Sequence, residues 1–189
     1  CPAGFYSSQL RPFRKCNGCP RGTFGDVLGA VDVASGCRNC ESGRFSDEEN
    51  VWMQNKDGVF CKSCPKGRWS NLTGLGKESL CQNCDPGRWS ETTGARNSAA
   101  CKACHPGRFS ASVGVASRTA CQECPSGFSQ STPAVAFCLP CVPGRFQNAT
   151  GQLLCHPCSE NTFSAILSRY EPCSRCAKGR SAASASIFC

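Results

Sequence analysis

The chain has 189 residues, a formal net charge of +8 and 20 cysteines, about one residue in ten, which is the density of a disulfide scaffold. Leu, Ile, Val and Phe together make up only roughly 16% of it, too little to bury a core suited to this length, which argues against one globular enzyme domain. No long apolar stretch exists to span a membrane, and the positive charge permits an acidic partner but is equally explained by a solvated, Arg-rich surface.

Read from the N-terminus, the chain is a repeat. Nine Cys-x-x-Cys pairs begin at Cys16, Cys37, Cys61, Cys81, Cys101, Cys121, Cys138, Cys155 and Cys173, with one lone cysteine at each end, Cys1 and Cys189. Cutting at the second cysteine of each pair gives one continuous array of ten units: 1-16, 19-37, 40-61, 64-81, 84-101, 104-121, 124-138, 141-155, 158-173 and 176-189. The chain opens and closes on a cysteine, so we read it as a segment of something longer.

Each unit opens in the same way. Three residues after the first cysteine stands Gly4, Gly22, Gly43, Gly67, Gly87, Gly107, Gly127, Gly144 or Gly179, with Asn161 the one exception. Asn tolerates a left-handed backbone best after Gly, so the position is expected at φ > 0, as the third residue of a type II turn. Two residues on comes an aromatic: Tyr6, Phe24, Phe45, Trp69, Trp89, Phe109, Phe146 or Phe163. In unit seven Phe128 stands one place early, and unit ten has Ser181 instead. Between Gly and aromatic lies Arg44, Arg68, Arg88, Arg108, Arg145 or Arg180, on the opposite face of a short strand. The residues before the closing cysteine (Leu80, Ala120, Phe137, Leu154, Phe188) are expected to form the return strand. No helical period is present.

Cysteine pairs at this spacing also suit zinc ribbons. Three features favour disulfides: the loop lengths drift, two N-glycosylation sequons occur (Asn71-Leu72-Thr73 and Asn148-Ala149-Thr150), and nine pairs with two singles do not divide into four-cysteine sites. Positions alone do not fix the pairing. If each unit closes on itself, the bonds are Cys1–Cys16, Cys19–Cys37, Cys40–Cys61, Cys64–Cys81, Cys84–Cys101, Cys104–Cys121, Cys124–Cys138, Cys141–Cys155, Cys158–Cys173 and Cys176–Cys189. Closing one such loop removes about 3 kcal/mol of denatured-chain entropy. One disulfide and one aromatic cannot fold a unit alone, but stacked neighbours can cover each other. The expected fold is small, disulfide-rich and irregular or all-β: a rod-like solenoid of ten single-disulfide units with short β-hairpins, little helix and nearest-neighbour contacts.

The run Cys-Pro-x-Gly-x-aromatic-Ser followed by Cys-x-x-Cys resembles the ephrin-receptor-like cysteine-rich repeat, and is similar to the single-disulfide module that opens TNF-receptor cysteine-rich domains. The likeness covers nearly the whole chain and is strongest from Cys61 to Cys124. It implies the pairing just given and an extracellular stalk, adhesive or structural segment. No kinase or ligand-binding domain of an ephrin receptor is present, so no ligand site transfers.

Several residues are candidates for function. Asn71 and Asn148 share one register, seven residues after the opening cysteine, and mark an outward loop for N-linked glycans. The Arg ladder with Trp69 and Trp89 could bind anionic sugars, or simply cover the disulfides. Residues 41–58 carry net charge −3 and residues 101–145 net +3, so an acidic outgrowth tipped by Trp52 and Met53 could dock on another copy. Val31 and Val33 in unit two and Phe188 in unit ten are further candidate interface residues. His105 and His156 stand in different units with no nucleophile or carboxylate constellation, and no phosphate-binding glycine loop is visible. The sequence thus predicts an extracellular or cell-surface, non-enzymatic structural glycoprotein that needs no cofactor or metal. It would build a filament, flagellar hair or matrix fibre with other copies or sister repeat proteins, without nucleic acid or membrane insertion. The alternatives are a receptor stalk or ligand-binding ectodomain, and a zinc-binding nucleic-acid module.

Overall fold

A computed structural model describes residues 1–8, 15–51 and 61–189. It contains ten disulfides in the sequential, non-crossing order, each closing one unit, with Cα–Cα separations of 5.5–5.9 Å, in the normal range. The chain divides into two compact bodies, 1–84 with 90–101 and 85–89 with 102–189, so the division runs through unit five. Each is built from the same parts.

Every unit opens on a four-residue turn. The third residue lies at φ between +75° and +84° where it is glycine, and at +59° in Asn161. The amide of the fourth residue donates to the carbonyl of the first, as in Phe5 N–H to Pro2, Arg68 N–H to Pro65 and Thr162 N–H to Ser159, each at 3.1 Å. The expected left-handed turn is therefore present in all ten units. Asn161 can take it because a short polar side chain is tolerated there.

Among the described residues nine antiparallel hairpins follow, all with two-residue strands. Their register corrects the expectation drawn from sequence. The strand after the turn does not pair with the residues before the closing cysteine; it pairs with the two residues inside the Cys-x-x-Cys pair. Arg44–Phe45 pairs with Lys62–Ser63, Arg68–Trp69 with Gln82–Asn83, and Arg108–Phe109 with Gln122–Glu123. The connector is thus a strand, which is why it is two residues long throughout. The residues before the closing cysteine instead form a 3-10 turn in units four to six: Glu78–Leu80, Ser98–Ala100 and Arg118–Ala120. Among the described residues the α-helix is one turn, Val33–Gly36. Asp32 caps it by accepting from the Ser35 amide at 2.7 Å, while the Asp32 amide donates back to Ser35 Oγ at 3.3 Å. Such a capping box acts locally and leaves no periodicity to read.

Successive units are joined through main chain. At each joint the amide of the next opening cysteine donates to the carbonyl of the preceding turn residue: Cys19 to Gly4, Cys64 to Gly43, Cys104 to Gly87 and Cys141 to Gly127, all at 2.8 Å. The turn residue donates in return to the sixth residue beyond the next opening cysteine, as in Gly22 N–H to Ser46 and Gly107 N–H to Gln130. The core is equally local. Phe45 of unit three packs on Cys64, Cys81 and Leu75 of unit four, and Trp89 of unit five packs on Cys104, Cys121 and Val115 of unit six. An aromatic covered by the next disulfide replaces the apolar core that the composition cannot supply.

The contacts also reach past the nearest neighbour, contrary to expectation. A second left-handed residue stands in each of units two to ten: Gly29, Asn50, Gly74, Gly94, Gly114, Ala134, Gly151, Ser168 and Ala185. Within each body its amide bonds the opening cysteine carbonyl of the unit before, as in Gly74 N–H to Cys40 and Ser168 N–H to Cys141, both at 2.8 Å. Its own backbone lies against the turn glycine two units back: Gly74 over Gly22, Gly94 over Gly43, Gly151 over Gly107 and Ser168 over Gly127.

Two outcomes follow. Peptide mapping without reduction will join Cys84 to Cys101 and Cys104 to Cys121, whereas bonds inside a Cys-x-x-Cys pair would refute the fold. Gly107→Val combines a β-branched residue at positive φ with overlap onto the Gly151 backbone, a loss of about 3 kcal/mol or more. Arg108→Ala removes the hydrogen bond from Arg108 to the Cys121 carbonyl and costs about 1 kcal/mol. Amide exchange across units six to eight will separate the two.

Candidate functional site

What can act on a partner is whatever the joints leave outside. The sixth residue after the opening cysteine turns inward: Ser7, Ser46, Ser70, Ser90, Ser110, Gln130, Gln147 and Ser164 are all buried. Ser70, Ser90 and Ser164 each accept from the amide two residues on, at Leu72, Thr92 and Ile166. In units seven and eight glutamine reaches further. Gln147 accepts from the Ala149 amide at 3.1 Å and donates to the Leu154 carbonyl at 2.8 Å; Gln130 does the same with Thr132 and Phe137. Composition alone gave no signal for these buried groups. The fixed offset from each cysteine was the available one.

The seventh residue, beyond the end of the strand, faces outward at both sequons. Asn71 and Asn148 are both exposed, each held by the pinned residue before it. Thr150 of the second sequon donates to Glu123 at 2.9 Å. Both sequon asparagines therefore lie on the surface, next to a residue that is pinned inward.

The Arg ladder is drawn onto its own units. Arg44, Arg108, Arg145 and Arg180 each donate to the carbonyl of their closing cysteine, at 2.9, 2.9, 3.1 and 3.2 Å, and Arg68 pairs with Glu78 at 3.4 Å. Trp89 is only 9% exposed, and the Lys102 ammonium covers its ring at 5.3 Å. A stacking platform for sugars does not form at Trp89, because that ring is needed to cover a disulfide. Trp69 is half-buried and bridges to Ala95 of the next unit.

The acidic stretch is likewise engaged within the chain. Glu41 pairs with Arg96 at 2.6 Å, Glu49 with Arg21 at 3.7 Å, and Asp47 and Glu48 share Lys62 at 2.7 and 2.9 Å. The hydrogen bond from Lys62 holds the Asp47 carboxyl below the usual carboxylate range, and Asp47 and then Glu48 raise the Lys62 ammonium. These pairs are exposed and contribute little to stability, but they compete with any outside cation for the same carboxylates. Trp52, Met53 and Asp57 lie outside the described residues.

Apolar side chains are left on the surface in both bodies. Val31 and Val33 are exposed beside Val27 and Leu28, the last at 77%. Phe188 is 71% exposed. Sequence reasoning missed the others of this kind. Phe137 and Leu154 were assigned to return strands, but each precedes a closing cysteine that bonds inward, and they stand at 65% and 69%. His105 begins a turn and His156 lies in a strand beside Phe146, ring centroids 6.0 Å apart. Among the described residues no group of His, Cys, Asp or Glu is placed to hold a metal ion, and no cysteine is free. No described helix is long and apolar enough to cross a membrane.

N-glycan release from the secreted chain is expected to lower its mass, and Asn71→Gln with Asn148→Gln together to abolish the change; an unchanged mass in the wild type would contradict glycan presentation. No model of a known protein family matches the chain, and no curated protein aligns with it significantly.

Proposed function

We propose that the chain is an extracellular structural glycoprotein segment that builds a filament, surface fibre or flagellar hair through contacts between copies or with sister repeat proteins. The carrying observation is the division of labour within each unit. Main-chain bonds and a disulfide make the joints, so side chains such as Leu28, Phe137, Leu154 and Phe188 have no folding duty yet stand exposed. Large apolar side chains left wet at this level are costly for a lone molecule and useful at an interface. Ten disulfides fit maturation in an oxidising compartment, and the likeness to ephrin-receptor-like repeats supports a place outside the cell.

The second reading, a receptor stalk, draws on unit three. Its acidic residues are paired within the chain, as a spacer needing no partner would have them. Light scattering and electron microscopy of the purified, oxidised chain at micromolar concentration distinguish the two. Concentration-dependent oligomers or fibres that Phe137→Ser, Leu154→Ser and Phe188→Ser weaken support assembly. A monomer at every concentration overturns it in favour of the stalk.

A further inference from the structure

The turn position is glycine in nine units and Asn161 in unit nine. The left-handed backbone does not by itself demand glycine. Asn161 adopts φ +59° and makes both main-chain bonds to unit ten: its amide donates to Ala182, and its carbonyl accepts from the Cys176 amide, each at 2.9 Å. The demand for glycine comes from the unit after next. At Gly22, Gly43, Gly87, Gly107, Gly127 and Gly144, a β-carbon would fall closer than 3.0 Å to the backbone of Gly74, Gly94, Ala134, Gly151, Ser168 and Ala185 respectively. Backbone cannot swing aside as the end of a flexible side chain can. At Gly179 of unit ten, by contrast, no atom lies within 4 Å of the corresponding point. Asn161 is therefore the one turn residue with a β-carbon, and it stands in a unit over which only a unit beyond the tenth could lie.

We propose that Asn161 is a stop residue for stacking. A further repeat, whether encoded after Cys189 or brought by a second copy, could not seat on units nine and ten in the geometry that joins the earlier units. Its left-handed residue would place a carbonyl on the Asn161 β-carbon. The other groups for such a joint are in place: the amide and carbonyl of Gly179, the amide of Ala182 and the carbonyl of Cys176 are the groups that earlier units use. An open main-chain edge of this kind invites continuation by any complementary chain, and one side chain withholds it. Partners of this end must then be ones that leave the turn of unit nine uncovered. Copies that add at units nine and ten must meet them in another geometry, and the inference holds whether or not copies assemble.

Two experiments test it by amide hydrogen exchange. In the chain as it stands, Gly144→Asn and Gly179→Asn each put asparagine into the same left-handed turn, but only the first lies beneath Ala185. Gly144→Asn is expected to speed exchange at the Ala185 amide by at least about tenfold, with Gly179→Asn within about twofold of the wild type and residues 1–120 unchanged in both. Equal effects of the two would overturn the steric argument. The chain is then lengthened after Cys189 by a second copy of residues 174–189. The added unit is expected to exchange freely behind Asn161 and to become protected in Asn161→Gly. Protection in both backgrounds, or in neither, would overturn the assignment of Asn161 as the stop.

Discussion

The structure depends on one close approach: the main chain of one unit resting on the main chain of the unit two places earlier, at a turn residue without a side chain. Gly22, Gly43, Gly107, Gly127 and Gly144 all meet a carbonyl there. The turn itself needs only a positive φ, which asparagine supplies at Asn161. The contact needs the absence of a β-carbon. A single position therefore carries both the direction of the chain within a unit and the spacing between units, and a substitution there acts on two units at once. Gly25 shows the same economy elsewhere, since a β-carbon on it would strike the Gly4 backbone.

Around that contact, covalent links substitute for apolar area. Eight opening cysteines, from Cys19 to Cys158, are at most 1% exposed, and each described cluster is an aromatic resting on the sulfurs of the following unit. Loop-closure entropy removed from the unfolded chain supplies stability that a composition poor in Leu, Ile and Val cannot. The buried polar groups are bonded locally: Ser70 by the amide of Leu72, Gln147 by Ala149 and Leu154. Glutamine appears in units seven and eight, whose cysteines are 14 residues apart. There its longer side chain spans a gap that a 3-10 turn fills in the longer units.

The joints are made by main chain and by aromatics packed on the next unit's cysteines, and the outer side chains differ from unit to unit. Unit three uses them for ion pairs, unit two for a valine-rich surface, units seven and eight for Phe137 and Leu154, and units four and eight for sequons. This distribution suits the proposed role of presenting surface at repeated intervals. Assembly is the reading that gives the exposed apolar residues a role, and the stop at Asn161 separates the way units join within a chain from the way chains would meet.

The sequence alone determined the unit, its boundaries and its turn, because those features rest on residues with few physical alternatives. Cysteine at fixed offsets marked each unit, and a glycine replaced once by asparagine reported a left-handed backbone. The outward register of Asn71 and Asn148 followed from the same offsets. The second left-handed position was half visible: Gly29, Asn50, Gly74, Gly94, Gly114 and Gly151 share one offset, but Ala134, Ser168 and Ala185 mask the pattern. Two-residue strands carry no alternation, so the pairing of Arg44–Phe45 with Lys62–Ser63 could not be read before the fold was seen. Nor could the burial of Trp89 or the exposure of Phe137, since nothing in a one-dimensional pattern distinguishes an aromatic under a disulfide from one beside it. Only the tertiary structure showed that units touch across an intervening unit. That contact is made by carbonyls, which every residue possesses, and the chain records it only where a side chain is missing.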